Sequence, residues 1–213
     1  MQKEEITNSL KLVTRIFSQC NSQYRILGSI ILVAYKQEIF REIHDIDILL
    51  DQKSEDCVLK KLKGEGFELK KRQWGSFSWI EAYKKNYLGL TFFLVGDFTA
   101  DFFRYQFSKW GELRVNNDYI KPTSYKFNGI PFTGIPITSA IAGIYQAFLN
   151  PKRSIDKQLL AHEIATLKIK KYNNINIFIG GLKIPFMYDT FSFLYNLYGG
   201  FRVRFGKKYE VWD

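Results

Sequence analysis

The spacing of hydrophobic residues predicts a chain that alternates between helices and strands. Near the N-terminus, apolar side chains recur every three or four positions, as on one face of a helix. Ile46, Ile48 and Leu50 instead recur at every second position and point away from Asp45 and Asp47, as in a strand. The predicted elements are helices over residues 4–18, 30–35 and 54–63, a strand over 43–50, and a hairpin of strands 77–83 and 88–95. Ser54 is expected to cap the third of these helices.

The second half of the chain has a less regular pattern. Residues 98–128 are mixed and rich in aromatic side chains, and their pattern assigns no elements. Pro131 and Pro136 predict an extended segment over residues 130–137, because proline disfavours the helix at and before its position. Helices are predicted over residues 139–149 and 156–169, on either side of a basic turn.

Two aspartates one residue apart are the first candidate for chemistry. Asp45 and Asp47 interrupt an apolar strand, so both side chains point to one face, about 6.6 Å apart along the strand. Two neighbouring carboxylates repel each other and are costly to bury. A cation between them removes both costs, and Mg²⁺ is typically held by one or two carboxylates together with substrate phosphates. The alternative is a strand end at which both aspartates are merely solvated.

A glycine–serine pair lies one predicted helix ahead of this strand. Gly28 and Ser29 precede the apolar run 30–35, so they would stand at a helix start. Backbone N–H groups at such a start, together with a hydroxyl, commonly hold a phosphate, and glycine lets the phosphate approach closely. A single Gly-Ser pair is a weak signal, and its position ahead of Asp-x-Asp makes it informative.

In these residues the chain resembles the nucleotidyltransferase superfamily, which has the DNA polymerase β fold. The signature is Gly-Ser, a short helix, and an apolar strand with Asp-x-Asp, seen here as Gly28-Ser29 and, seventeen positions after the glycine, Asp45 and Asp47. The resemblance covers about residues 24–95. It implies an α+β fold with a mixed sheet flanked by helices. It also implies a core over residues 1–128 and a helical, aromatic-rich extension over 129–213 that packs on this core.

The resemblance also implies roles for individual residues. Gly28 and Ser29 would contact the nucleotide, as would Arg41, which stands where smaller bacterial members carry an arginine. Asp45 and Asp47 would hold two Mg²⁺ ions, with an NTP as donor. Lys152 belongs to a basic turn, Lys152-Arg153 with Asp156, that in the family packs near the nucleotide. The alternative for Asp156 is that it simply caps its own helix.

The sequence departs from the family at the third carboxylate. The second strand of the hairpin should carry an acid where Thr91 stands, and threonine is a poor Mg²⁺ ligand. Asp97, just past this strand, is the predicted replacement, ahead of Glu81 and Asp101. The third acid usually acts as a base toward the attacking hydroxyl or helps to hold the metal.

Composition adds only coarse expectations. The net charge of +10 comes from several basic groups next to aromatic residues, which would suit an RNA or tRNA partner or only a solvated lysine-rich surface. The chain has no apolar run of membrane-spanning length and no signal peptide, so a cytoplasmic protein is expected. Cys20 and Cys57 match no metal or redox spacing and are expected to be free buried thiols.

The predicted function is Mg²⁺-dependent transfer of a nucleoside monophosphate from an NTP to a hydroxyl on RNA, protein or a small molecule. One alternative is a phosphotransferase of the LicD and fukutin type, because residues 184–199 are similar to the closing segment of those proteins. The other is a nucleotidyltransferase-like binding protein with impaired catalysis, as in a toxin–antitoxin or defence pair. Thr91 favours this last alternative, whereas the retained pair Asp45 and Asp47 favours an active enzyme.

Overall fold

The computed structural model describes residues 2–74, 77–96, 98, 102–106, 109–146, 156–166 and 175–184. Its helices are α1 (Gln2–Gln19), α2 (Ser29–Lys36), α3 (Glu55–Gly64), α4 (Ile137–Gln146) and α5 (Ala161–Thr166). Its first strands are β1 (Tyr24–Ile26), β2 (Asp45–Asp51), β3 (Glu68–Trp74), β4 (Phe77–Tyr83) and β5 (Gly89–Val95). The remaining strands are β6 (Phe102–Gln106), β7 (Gly111–Asn116), β8 (Thr123–Phe127), β9 (Ile130–Gly134), β10 (Ile175–Ile179) and β11 (Leu182–Ile184).

Seven strands form the main sheet, in the order β3-β4-β5-β2-β1-β9-β8. The central strand β2 runs parallel to β5 and antiparallel to β1, so the sheet is mixed. A second sheet has the order β11-β10-β7-β6 and is antiparallel throughout. The predicted α+β class with a mixed, helix-flanked sheet is confirmed.

The central strand β2 contributes three side chains of one face to the hydrophobic core. Ile46, Ile48 and Leu50 are fully buried and belong to one hydrophobic core with apolar side chains of α1, α2 and α3. On α1, the residues that the helical period placed on one face are buried. Burying a side chain of this size contributes about 1.5–3 kcal/mol, so the alternation of β2 fixes which of its faces meets the core.

Most predicted elements of the first half are confirmed. The three helices and the hairpin lie where the hydrophobic spacing placed them, within one or two residues at most ends. Residues 98–128, which the pattern left unassigned, contain β6, β7 and β8. The predicted extended segment includes β9, which pairs with β1 in the main sheet. The predicted boundary after residue 128 therefore falls in the turn between β8 and β9, and the division into two domains stays a prediction.

Ser54 occupies the N-cap position of α3, as expected, but its hydroxyl does not cap the helix. Ser54 makes no side-chain capping hydrogen bond to α3. Asp51, the last residue of β2, instead accepts hydrogen bonds from the Ser54 backbone N–H at 2.7 Å and from its hydroxyl at 2.9 Å. A carboxylate accepts several donors at once, so Asp51 satisfies the turn that leads from the strand into the helix.

The expected free thiols are also wrong. Cys20, just past α1, and Cys57, on α3, form a disulfide with a Cα–Cα distance of 5.9 Å. Their sequence separation of 37 residues matches no motif, so only the packing of α1 against α3 brings them together. Among the helices in the described ranges, none is both long and apolar enough to span a bilayer.

Candidate functional site

Asp45 and Asp47 lie on one face of the main sheet, at the start of β2. Asp45 is exposed and Asp47 is half-buried, while Ile46 between them is fully buried on the opposite face. We call the side toward which the two carboxylates point the aspartate face. The strand geometry therefore places both candidate ligands on the side of β2 opposite to Ile46, Ile48 and Leu50, as the alternation predicted.

Gly28 lies directly against the Asp47 carboxylate. A Cβ atom built on Gly28 would stand 2.8 Å from Asp47 Oδ2, closer than real Cβ atoms approach. Gly28 also has a φ of 69°, a left-handed value that costs other residues free energy. The Leu27 N–H donates to the Asp47 carbonyl at 2.8 Å, which holds the two segments together. Glycine is thus required here both for its backbone conformation and for the space it leaves.

Ser29 is the first residue of α2, next to this glycine. The backbone N–H groups of a first helical turn have no partners within the helix itself. In α2 the Ile31 N–H donates to the Gly28 carbonyl at 3.2 Å. Arg41 reaches the same turn, because its Nη2 donates to Ser29 Oγ. The structure therefore brings together Gly28, Ser29, Arg41 and Asp47, all of which the sequence placed in one site.

Arg41 is held there by Asp156, from the second half of the chain. Arg41 Nε donates to Asp156 Oδ1 at 2.7 Å, and Asp156 is 0% exposed. Residues 156–159 form one helical turn, in which the Leu160 N–H donates to the Asp156 carbonyl. Asp156 thus lies in a helical turn and also near the predicted nucleotide site, and its role as a helix cap stays a prediction. Lys152 and Arg153 lie outside the described residues.

The strand register identifies the neighbours of Asp47 on the aspartate face. Thr91 is the register partner of Asp47 in the parallel pair β2–β5, and Glu81 is the partner of Thr91 in the antiparallel pair β4–β5. Partners in register point to the same side of a sheet, about 4.8 Å apart. Thr91 thus occupies the place beside Asp47, and Glu81 is the next acidic side chain in this row.

Asp97 and Asp101, the other candidates for the third carboxylate, lie outside the described residues. The strand before them, β5, ends at Val95, whose register partner Asp51 is four residues beyond Asp47. That strand end is about 13 Å along β2 from Asp47. Asp97 therefore stays a prediction. Of the three candidates for the third carboxylate, Glu81 is the one in the described residues, and the strand register places it next to Thr91 on the aspartate face.

Glu81 is the centre of a hydrogen-bonded group that sequence reasoning missed. It is buried, and it accepts hydrogen bonds from Arg72 Nε at 2.9 Å, Trp79 Nε1 at 2.8 Å and the Tyr83 hydroxyl at 2.8 Å. Burial raises the pKa of Glu81, but these three donors outweigh burial and hold the pKa below its ordinary value. A carboxylate so stabilised is a poor proton acceptor. We call Arg72, Trp79, Glu81 and Tyr83 the Glu81 cluster.

The Glu81 cluster borders the aspartate pair through Tyr83. A Cβ built on Gly89 would stand 3.3 Å from Tyr83 Cε1 and 3.6 Å from the Asp45 Cβ, so the tyrosine ring and Asp45 flank this glycine. Burial, the hydrogen bond to Glu81 and the charges of Glu81 and Asp45 raise the pKa of Tyr83 to about 12, against a smaller opposing effect of Arg72. Alternation in the predicted hairpin, which puts positions 79, 81 and 83 on one face, was the signal that could have revealed this cluster.

The donor set at the aspartate pair fits Mg²⁺. Hard divalent cations take oxygen ligands, and Mg²⁺ often uses only one or two carboxylates with phosphates and water completing its shell. Throughout the described ranges, no group of three or more His, Cys, Asp or Glu side chains is arranged to hold a metal. Asp45 and Asp47 thus fit a cation that is shared with a phosphate-bearing ligand.

Several solved structures are similar to this chain in fold. The lincomycin-bound crystal structure of the lincosamide antibiotic adenylyltransferase LnuA matches with a TM-score of 0.50 and 19% identity, covering 61% of this chain and 79% of that chain. The solution structure of the antibiotic-resistance factor ANT(2'')-Ia matches with a TM-score of 0.55 and 13% identity, covering 76% and 86%. Its crystal structure in complex with adenylyl-2''-tobramycin has a TM-score of 0.52, with 13% identity and coverage of 76% and 95%. No protein-family model and no curated protein matches the chain.

We predict that Gly28→Ala prevents cation binding at the aspartate pair without unfolding the protein. The added methyl group must displace the Asp47 carboxylate, whereas Gly129→Ala, at a φ of 85° with nothing within 4 Å, carries only the backbone cost. Gly129→Ala should lose about 1 kcal/mol of unfolding free energy in urea denaturation, and Gly28→Ala should lose more, because its methyl group also meets the Asp47 carboxylate. Binding of Mn²⁺ as a paramagnetic substitute for Mg²⁺, measured by water proton relaxation, should be lost only in Gly28→Ala. Equal binding in the two variants would contradict the assignment of this contact.

We predict a pH-dependent contribution of Glu81 to stability. Because the folded-state pKa lies below the ordinary value of 4.5, the ionised form stabilises the fold above that pH, and this stabilisation is lost as the pH falls through the folded pKa. Glu81→Gln should lower the unfolding free energy by about 2 kcal/mol at neutral pH, and the difference from wild type should shrink below pH 4.5. Glu65→Gln, which breaks an exposed pair with Arg15, should cost less than about 1 kcal/mol. A pH-independent difference for Glu81→Gln would refute this explanation.

Proposed function

We propose that this chain, which has the nucleotidyltransferase fold, transfers a nucleoside monophosphate from an NTP to a hydroxyl group of a small molecule. The observation that carries the proposal is the contact of the Gly28–Ser29 turn with the Asp47 carboxylate. This contact supports the proposal because a phosphate bound at the helix start and a metal held by the aspartate pair would then be neighbours, as phosphoryl chemistry needs. LnuA and ANT(2'')-Ia suggest ATP as donor and antibiotic-like molecules as acceptors.

The chain's own residues have distinct parts in this mechanism. The N–H groups at the start of α2 and the Ser29 hydroxyl bind the phosphates, and Arg41 adds positive charge at the same turn. Mg²⁺ held by Asp45 and Asp47 would neutralise negative charge that develops on the phosphates during transfer. The acceptor oxygen attacks the α-phosphorus, a new P–O bond forms, and pyrophosphate leaves. Asp97 remains the predicted base for the hydroxyl proton.

We propose that the acceptor molecule contacts the side chains of the Glu81 cluster. Glu81 accepts hydrogen bonds from the Trp79 N–H and the Tyr83 hydroxyl, so these two side chains offer mainly their rings to a ligand. Tyr83 is 42% exposed and flanks Asp45. Aromatic rings next to a reacting centre suit the apolar face of a sugar or another ring. The acceptor class is therefore a ring-bearing alcohol.

Charge narrows the acceptor class further. The chain carries a net charge of +10, and Lys70 and Arg72 occupy the same side of β3 as the partners of Glu81 and Trp79. A positive surface repels a polycation and tolerates a neutral or weakly charged ligand. We therefore expect a lincomycin-like acceptor to be preferred over a polyamine such as tobramycin. The RNA acceptor considered from the basic groups is not part of this proposal, since two of those groups, residues 168–171 and 202–208, lie outside the described residues.

The two alternative functions, a LicD-type phosphotransferase and a binding protein without efficient catalysis, rest on different residues. The segment that suggested LicD-type chemistry lies outside the described residues except for Ile184. The binding-protein alternative draws on Thr91, which the register places beside Asp47 where an acid is expected. Nucleotide binding without turnover would favour that alternative.

We predict that Asp45→Asn with Asp47→Asn abolishes Mg²⁺-dependent nucleotide binding. The amides keep the volume of the carboxylates and remove the charge that holds the cation. Calorimetric titration with each of the four NTPs, with and without Mg²⁺, measures the effect. Asp118→Asn, which changes an exposed aspartate in a turn, is the matched control and should bind as wild type does. Retained Mg²⁺-dependent binding in the double variant would remove the basis of the proposal.

We predict that the Tyr83 ring, rather than its hydroxyl, determines acceptor affinity. Tyr83→Ala should raise KM for a ring-bearing acceptor about tenfold, because stacking on an aromatic ring contributes about 1 kcal/mol or more. Tyr83→Phe loses the hydrogen bond to Glu81 but keeps the ring, so its acceptor KM should stay within about threefold of wild type. KM for ATP should be unchanged in both variants. Steady-state assays with lincomycin and tobramycin as acceptors test this. Equal effects of the two variants would exclude the ring as the contact.

A further inference from the structure

A buried ion pair connects the second half of the chain to the glycine–serine turn. Asp156 accepts from Arg41 through two contacts, Nε to Oδ1 at 2.7 Å and Nη2 to Oδ2 at 3.4 Å. The Arg41 side chain is 13% exposed and Asp156 is 0% exposed. Two contacts between one edge of a guanidinium and one carboxylate fix the plane of the guanidinium as well as its position. Asp156 thus determines how Arg41 is presented to the turn.

The orientation of Arg41 has a consequence for Ser29. Arg41 Nη2 donates to Ser29 Oγ, and Arg41 Nη1 donates to the Glu42 carbonyl at 3.1 Å. Arginine has only donors, so the Ser29 hydroxyl must accept in this contact. Its own proton is then directed away from Arg41. A hydroxyl in this state is ready to donate to an anion at the start of α2.

We infer that Asp156 is a positioning residue for the nucleotide, acting through Arg41 on the Ser29 hydroxyl. This inference rests on the proposed function, because it assigns the anion at the turn to the phosphates of an NTP. Without the Asp156 charge, Arg41 loses its fixed orientation, and Ser29 is no longer held as an acceptor of the Arg41 donor. A sequence separation of 115 residues lies between Arg41 and Asp156, so the second half of the chain completes the phosphate site.

A second ion pair between the same parts of the chain supplies a matched control. Lys36, the last residue of α2, pairs with the buried Glu163 of α5. This pair also attaches α2 to the second half, but at the end of α2 opposite to Ser29. If Asp156 served only to dock the two parts, loss of either carboxylate would affect nucleotide binding alike.

The test is a double-mutant cycle on ATP binding. Asp156→Asn and Glu163→Gln are made in wild type and in Ser29→Ala, and Kd for ATP with Mg²⁺ is measured by calorimetry beside the thermal unfolding temperature. Asp156→Asn should raise Kd about tenfold in wild type, as expected for a lost charge-assisted hydrogen bond, and by less than about twofold in Ser29→Ala. Glu163→Gln should change Kd by less than about twofold in both backgrounds, whatever its effect on unfolding. Asp156→Glu, which keeps the charge, should recover part of the lost affinity.

Each contrary outcome has a separate meaning. If Asp156→Asn raises Kd equally in both backgrounds, Asp156 does not act through Ser29, and the inference is overturned while the nucleotide site stands. If Glu163→Gln weakens ATP binding as much as Asp156→Asn, docking alone explains the effect, and the inference is again overturned. If wild type binds no ATP with Mg²⁺, the proposed function fails first, and the inference falls with it.

Discussion

The contact between Gly28 and the Asp47 carboxylate is the constraint on which the rest of the site depends. It joins the start of α2 to the central strand β2, with no room for a side chain between them. The N–H group of Leu27 on the Asp47 carbonyl keeps this spacing fixed. A phosphate at the helix start and a cation at the aspartates would therefore be neighbours, and each would lower the cost of binding the other.

The acidic side chains around this contact differ in how far their charge is balanced by neighbouring donors. Arg41 and Asp156 form a buried pair, and Glu81 is balanced by Arg72 together with two neutral donors. Breaking such a pair leaves one buried charge without its partner, which is costly, so these groups hold their neighbours in one arrangement. Asp45 instead remains exposed on the aspartate face, with the ring of Tyr83 beside it. The site thus combines a rigid frame with an accessible carboxylate.

Local patterns predicted what depends on local chemistry. The period of two in β2 put Asp45 and Asp47 on one face, and the helical period identified the buried side of α1. The hairpin of β4 and β5 was predicted for the same reason, since its alternation and its turn lie close in sequence. One error arose where distant segments meet. The disulfide of Cys20 and Cys57, which are 37 residues apart, depends on how α3 packs on α1. The hydrogen bonds of Ser54 to Asp51 join residues only three positions apart, so that miss was local.

Side-chain periodicity and the conformational freedom of glycine were enough to predict the order of turn, helix and Asp-x-Asp strand, and the family resemblance of these residues implied the α+β class. Which residues complete the site depends on contacts between distant segments. Strand register put Glu81 in the row of Asp47 and Thr91, and packing of the second half placed Asp156 on Arg41. Such contacts join residues far apart in sequence, and no local period encodes the distance between them.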